Sequence, residues 1–362
     1  MEQTRKLASW KPITYIKPIE GADQIECAIV DGGWPVVVKK GEFTVGEFAV
    51  YFEVDSWVPT ELAPFLSKGK EPREYNGVKG EKLRTVRLRK QLSQGLLLHP
   101  ESINITFIDS ETYQPRQFHE LNLEPGQDLT EMLGIQKWEA PISAQMAGIM
   151  RGNFPMFIPK TDQERCQNLR KSIFETHENE VYEVTVKLDG SSMTVYVKDD
   201  YIGVCSRNID LKETEDNSFW KNAHKQNIIE VLKQYHTDTG RSIAIQGELI
   251  GESIQSNYEK ITGQKFYVFD IYDIDAGRYM SPSERAQVLV NLTIMGAYVP
   301  HVPTLESECS VSSRFANIDE ILQYAEGPSM VPTVKREGVV FKSTTTNFSF
   351  KAISNSYLLK QK

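Results

Sequence analysis

Residues 181–200 read VYEVTVKLDGSSMTVYVKDD. Two runs rich in β-branched and aromatic residues flank Leu188-Asp189-Gly190, so strands are expected over 181–187 and 193–198, joined as a hairpin. The first run is apolar on alternate and adjacent positions alike, which asks for burial. Its last residue is Lys187. An ammonium taken out of water is costly unless it is paired. Any fold for this chain must therefore bury a β-sheet and still satisfy one lysine at its end. Either Lys187 reaches solvent, or it stands among charges in a pocket.

The rest of the chain predicts an α+β protein of two domains, divided at 1–138 and 139–362. Residues 1–138 carry short strand-like runs such as ECAIVDGGWPVVVKKGEF, EFAVYFEVDSWVP and KLRTVRLRKQLSQGLLLHP, punctuated by Gly and Pro. Regular short strands of this kind suggest a small barrel, with OB-type and SH3-like forms both open. A short helix is expected within 126–138, capped by Asp128 or Thr130. After a Pro/Gly-containing stretch near 137–155, a helix is expected over 160–175, capped by Thr161 or Asp162. Further strands are expected at 243–250, 265–273, 338–342 and 348–352, and helices at 217–236, 282–294 and 317–325.

The composition removes several classes. No apolar run is long enough to span a bilayer, the N-terminus has no signal core, and the four cysteines are scattered. These point to an intracellular protein, cytoplasmic or nuclear, without structural zinc or a disulfide framework. The net charge of −8 speaks against a general nucleic-acid coat. Locally, however, residues 67–90 set nine Lys/Arg against three Glu, a balance of +6. Alternation over 84–90 predicts a half-buried strand with Arg87 and Arg89 outward and Val86 and Leu88 inward.

The stretch around Lys187 is followed by an ordered series: CSRN (205–208), IAIQGELIG (243–251), KFYVFDIYD (265–273), KREGVVFKS (335–343) and NFSFKAISNSYLLK (347–360). This order resembles the motif series of the covalent nucleotidyltransferases, the polynucleotide ligases and mRNA capping enzymes. It is most similar to the ATP-dependent RNA ligases with an N-terminal OB module, and the likeness runs over nearly the whole chain. Only 11 residues follow Lys351, so the barrel expected in front takes the place of the OB domain that capping enzymes and most DNA ligases carry behind.

The resemblance implies a fold and a chemistry. An OB-type β-barrel should precede an α+β nucleotidyltransferase domain of antiparallel sheets with flanking helices. Lys187 resembles the nucleophile that takes AMP from ATP, and Val186 precedes it in the nucleotide pocket. Arg207 resembles a ribose or phosphate contact, Glu248 the acid on the ribose hydroxyls, and Phe269 the ring stacked on adenine. Asp189 and Glu337 resemble acids that hold Mg²⁺ or Mn²⁺ through water. Lys342 and Lys351 resemble phosphate-binding lysines, and Arg165, on the expected helix 160–175, a contact to the outgoing phosphates. Relatives often carry Lys-x-Lys in the last motif, whereas here Ser349 stands two residues before Lys351. An amine attacks only when neutral, so dry walls and the cations Lys342 and Lys351 are expected to lower the pKa of Lys187. The implied partner is RNA, with a nick in duplex RNA as substrate, gripped by Arg84, Arg87, Arg89 and Lys90, by a monomeric enzyme. A GTP-using capping-type transferase, a DNA ligase and a non-catalytic nucleic-acid-binding module are the alternatives.

Overall fold

The two runs around Lys187 do not form a hairpin. In a computed structural model, which describes residues 5–108, 113–139 and 148–360, Val181–Lys187 pairs with Gly338–Ser343 on one side and Thr304–Ser310 on the other. Ser191–Lys198 pairs instead with Tyr201–Cys205 and Ile243–Gly251. Leu188-Asp189-Gly190 is thus a crossover between two sheets. The physical reason lies in the runs themselves. Both are buried over five consecutive residues, hence on both faces, and such strands belong in the interior of a covered sheet. Gly190 is required by close packing, since a Cβ there would lie 2.4 Å from the Leu249 carbonyl oxygen.

The chain divides into two compact units, Met1–Pro141 and Ile142–Lys362. In the second, a five-stranded sheet runs Glu164–Arg165, Ser349–Ile353, Gly338–Ser343, Val181–Lys187, Thr304–Ser310. A seven-stranded antiparallel sheet is centred on Ser191–Lys198 and Ile243–Gly251. Helices Ser218–Lys225, Ile228–Thr239 and Pro282–Ile294 share a core with the larger sheet, and Ile318–Ala325 shares one with the smaller.

Two helix expectations in the second unit need correction. The helix expected over 217–236 is two helices, because Asn227 adopts φ +55° and frees Gln226 to stitch the neighbouring strand. Gln226 Nε2 donates to the Phe266 and Tyr298 carbonyls while its Oε1 accepts from Phe266 N–H. Residues 160–165 are not helical. Glu164 and Arg165 pair in parallel with Phe350 and Lys351, and 3₁₀ and π turns follow. Ladder bonds to a strand edge outweigh the capping signal of Thr161 and Asp162.

In the first unit, Leu96–Leu98, Phe48–Phe52, Ala8–Pro18, Ile25–Val30 and Trp34–Lys39 form a sheet in that order. It curls almost shut, because Gln91–Leu98 serves both edges. Leu96–Leu98 pairs with Phe48–Phe52, while Ser93 Oγ accepts from Val37 N–H at 2.9 Å. This is the OB-type barrel expected. The helix expected within 126–138 is absent. Its backbone docks on the first strand, with Leu129 N–H on the Ala8 carbonyl and Thr130 Oγ1 accepting from Leu7 and Ala8.

The basic stretch departs from expectation as well. Thr85–Leu88 and Gln91–Gln94 form a two-stranded ribbon whose turn is Arg89-Lys90, at φ +47° and +67°. Positive φ at both turn residues is the geometry of a tight β-hairpin, usually met by Asn-Gly. Arg89 therefore leaves the strand and does not share a face with Arg87. Val86 and Leu88 are 45% and 43% exposed, because a ribbon of two strands has no third layer to cover them.

Candidate active site

Alternation along Val181–Lys187 places Glu183, Thr185 and Lys187 on one face. Opposite them across the ladder stand Lys342, Val340 and Gly338, and beyond these Ser349, Lys351 and Ile353. One sheet face thus gathers Lys187, Lys342, Ser349 and Lys351. The crossover at 188–190 brings this face against the larger sheet, where Ser192 is opposite Glu248 and Glu248 opposite Tyr267. A bulge at Phe269 follows, with Asp270 opposite Gln246 and Val268 opposite Gly247. Tyr267 and Phe269 are half-buried and pack with Val186, Leu188, Ile250 and Val302. Val186 and Leu188 of this apolar cluster flank Lys187 in the chain.

The electrostatics differ from expectation. Lys187 Nζ donates to Glu337 Oε2 at 2.8 Å. Burial pulls the ammonium down, but Glu337, Glu248 and Asp189 outweigh it and hold Lys187 above its ordinary range. The expected lowering by Lys342 and Lys351 fails because each of those lysines has a carboxylate of its own. Lys342 Nζ pairs with Asp270 at 2.7 Å and donates to the Phe269 carbonyl at 2.7 Å. Lys351 Nζ pairs with Asp162 at 2.8 Å. Burial leads in lowering both of these lysines.

The acids feel the same confinement. Burial pushes Glu248 up to about 8 and raises Glu337 and Asp189, with Lys187 opposing it in each. Three carboxylates around one ammonium are a surplus of acid, which fits a divalent cation. Among the described residues no three His, Cys, Asp or Glu side chains are close enough to enclose an ion. An ion here would be held through its water shell, as Mg²⁺ commonly is.

The remaining expected residues divide into two groups. Arg207, on the loop between Tyr201–Cys205 and Ile209–Leu211, reaches Asp162 at 3.4 Å. Arg165 is buried on the short strand beside Lys351 and not on a helix. Ser349 lies directly opposite Lys342, so Lys342 rises next to the position where the motif resemblance leads to the expectation of a lysine, although its amine is committed to Asp270. Arg84, Arg87, Arg89 and Lys90 lie in the first unit and are exposed.

The RNA ligase family model matches residues 180–353, and an OB-fold domain model matches residues 7–100. Solved structures of Naegleria gruberi RNA ligase are similar along the whole chain. A mutant in apo form and a mutant with ATP and Mn are each 48% identical, with TM-score 0.82 and 98% of both chains covered. The form with PPi is 48% identical with TM-score 0.81 and the same coverage. No curated protein matches. The chain belongs to the RNA ligase family.

Several groups of this RNA ligase's pocket carried no signal in the sequence. Glu259 is fully buried, accepts from Ser329 Oγ at 2.8 Å and from the Asp189 backbone N–H, and so ties the crossover to the segment before Glu337. Its loop holds Ser253, Gln255, Asn257 and Lys260 at positive φ, a strained path that only tertiary contacts sustain. Tyr357 hydrogen-bonds Asp189. Arg285 braces Asp270 and Glu183 at 3.8 and 2.5 Å. Asp162 appeared in the sequence only as a helix cap. Asp270 lies within the aromatic strand expected over 265–273, but nothing in the sequence singled it out or linked it to Lys342.

Proposed function

We propose that this RNA ligase seals 3′-OH/5′-phosphate breaks in RNA through a lysyl-AMP intermediate on Lys187, with ATP as the nucleotide and Mg²⁺ or Mn²⁺ as the metal. The observation that carries the reading is Lys187 at 2.8 Å from Glu337, with Glu248 and Asp189 acting on the same ammonium. The neutral amine attacks the α-phosphorus of ATP, an N–P bond forms and the P–O bond to pyrophosphate breaks. The proton Nζ must lose has Glu337 as its hydrogen-bonded acceptor. The adenine lies in the slot of Val186, Tyr267 and Phe269, and Glu248 takes the ribose hydroxyls. Lys351 and Arg207 hold phosphate oxygens, and Arg165 braces the strand edge where the leaving group departs. Lys342 acts mainly by fixing Phe269 and Asp270. Asp189 and Glu337 would hold the hydrated divalent ion, which when bound supplies positive charge against both the phosphate and the ammonium. AMP then passes to an RNA 5′-phosphate, and the neighbouring 3′-hydroxyl displaces it.

We assign residues 1–138 to RNA grip and 139–362 to chemistry. A nick in duplex RNA is the substrate, with Arg84, Arg87, Arg89 and Lys90 on its phosphates. The enzyme works as a monomer inside the cell, in cytoplasm or nucleus. The four cysteines are free and buried, which suits a reducing compartment, and among the described residues no helix is long and apolar enough to cross a membrane. The test is covalent labelling, in which α-labelled ATP with Mn²⁺ leaves an adduct that survives denaturation and is lost in Lys187→Met. Labelling by GTP alone, or none, overturns the reading.

A further inference from the structure

Asp162 stands where two candidate phosphate ligands meet. One carboxylate oxygen pairs with Lys351 Nζ at 2.8 Å and the other with Arg207 Nη2 at 3.4 Å. The two cations come from different sheets, Lys351 from Ser349–Ile353 and Arg207 from the loop before Ile209–Leu211. Both are electrostatically coupled to the pocket. Lys187 helps depress Lys351, and Arg207 acts on Glu248. A carboxylate that offers one oxygen to each cation presents the arrangement of two phosphate oxygens.

The segment bearing Asp162 is latched on both sides. Gln246 Nε2 donates to the Pro159 carbonyl at 2.9 Å, Lys160 Nζ donates to Asn208 Oδ1 at 3.0 Å, and Glu164–Arg165 is paired to Phe350–Lys351. The Asp162 backbone is therefore held in place beside the two cations when a phosphate arrives.

We propose that Asp162 is a specificity-determining residue that competes with polyphosphate for Lys351 and Arg207, setting a ceiling on affinity for ATP and pyrophosphate. This rests on the phosphate roles given to Lys351 and Arg207 above. The competition has a kinetic consequence. Without it, the half-buried Lys351 and the exposed Arg207 would together hold pyrophosphate tightly after lysine adenylylation. With it, bound phosphates compete with a negative charge held close by, and the leaving group is released faster.

The test is direct titration of pyrophosphate into the full-length protein by calorimetry, in buffer with and without Mn²⁺. Asp162→Asn and Asp162→Ser are compared with wild type, with melting temperatures as a check on folding. Removal of the competing charge should tighten pyrophosphate binding about three- to tenfold in both variants, the scale of partly exposed ion pairs. The ATP concentration for half-maximal adduct formation should fall in the same proportion. Unchanged or weaker pyrophosphate binding overturns the proposal and makes Asp162 an orienting residue. Loss of binding only in the Mn²⁺ buffer also overturns it, by assigning Asp162 to an ion. The pyrophosphate titration needs no turnover, so a wild type that forms no AMP adduct would defeat the proposed function and leave this result readable.

Discussion

The pocket around Lys187 and the ribbon of residues 85–94 both present cations, under opposite conditions. In the pocket each lysine faces a carboxylate: Lys187 with Glu337, Lys342 with Asp270, Lys351 with Asp162. On the ribbon Arg87, Arg89 and Lys90 are exposed, as are Val86 and Leu88 of the same strand, while only the returning strand is buried, at Ser93 and Gln94. Elsewhere in the same basic stretch Arg73, Lys79 and Lys82 are already paired with Glu81, Glu71 and Asp55. Compensated charge suits chemistry, because an unpaired buried ion is expensive and the partner tunes reactivity. Uncompensated surface charge suits a polyanion, whose binding is driven by counterion release and is sensitive to salt.

Mutations should separate these two regimes. The largest effect is expected at Glu337. Glu337→Gln removes the acceptor of the Lys187 proton and should slow adduct formation about 100-fold, read as label per minute at saturating ATP. A smaller loss is expected at Glu259, where Glu259→Ala leaves the Asp189 and Ser329 donors without their buried acceptor. Stability should fall by about 1–3 kcal/mol, measured by chemical denaturation. A stability equal to wild type would mean that the clamp between the crossover and the segment before Glu337 contributes nothing to the folded state.

Glu248 gives the pocket a pH signature. Its folded pKa of about 8 lies above the ordinary 4.5, so the unfolded chain gives up this proton at lower pH than the folded protein. The protonated acid's contribution to stability is full at pH 4 and lost as pH rises toward 8. Glu248→Gln should flatten this decline, with a melting temperature several degrees above wild type at pH 8 relative to pH 4. The same substitution removes one of the carboxylates raising Lys187, and adduct formation with whatever activity remains should shift to lower pH. The smallest effect is expected on the ribbon. Arg87→Ala combined with Arg89→Ala should weaken sealing more than adduct formation. It should also make RNA binding less sensitive to salt, lowering the slope of log affinity against log[salt] by roughly one for each phosphate the ribbon no longer holds. Equal loss of both steps would erase the contrast between the two regions.

Much of this was readable along the chain, for reasons that differ by element. Strands over 181–187, 243–250 and 265–273 and the helix Pro282–Ile294 were legible because their patterns are local and strong. In the helix, Ser281 and Glu284 form a capping box around Pro282. The break at Gln226–Asn227 was not legible, since it depends on a strand 40 residues away. The strand Glu164–Arg165 was hidden for the same reason, its partner being Phe350–Lys351. The exposure of Val86 and Leu88 could not be read either, because alternation shows which residues share a face and not whether anything covers it.

The order of chemical groups, Lys187, Asp189, Arg207, Glu248, Phe269, Glu337 and Lys351, is a property of the sequence alone, and with it the family. What the tertiary structure decided is the charge state in which those groups wait. Asp162 for Lys351 and Arg207, Asp270 for Lys342, and Glu259 for the crossover are partners drawn from distant segments. Side-chain pKa values and ion pairs depend on distances in space and on exclusion of water, and neither is a function of spacing along the chain.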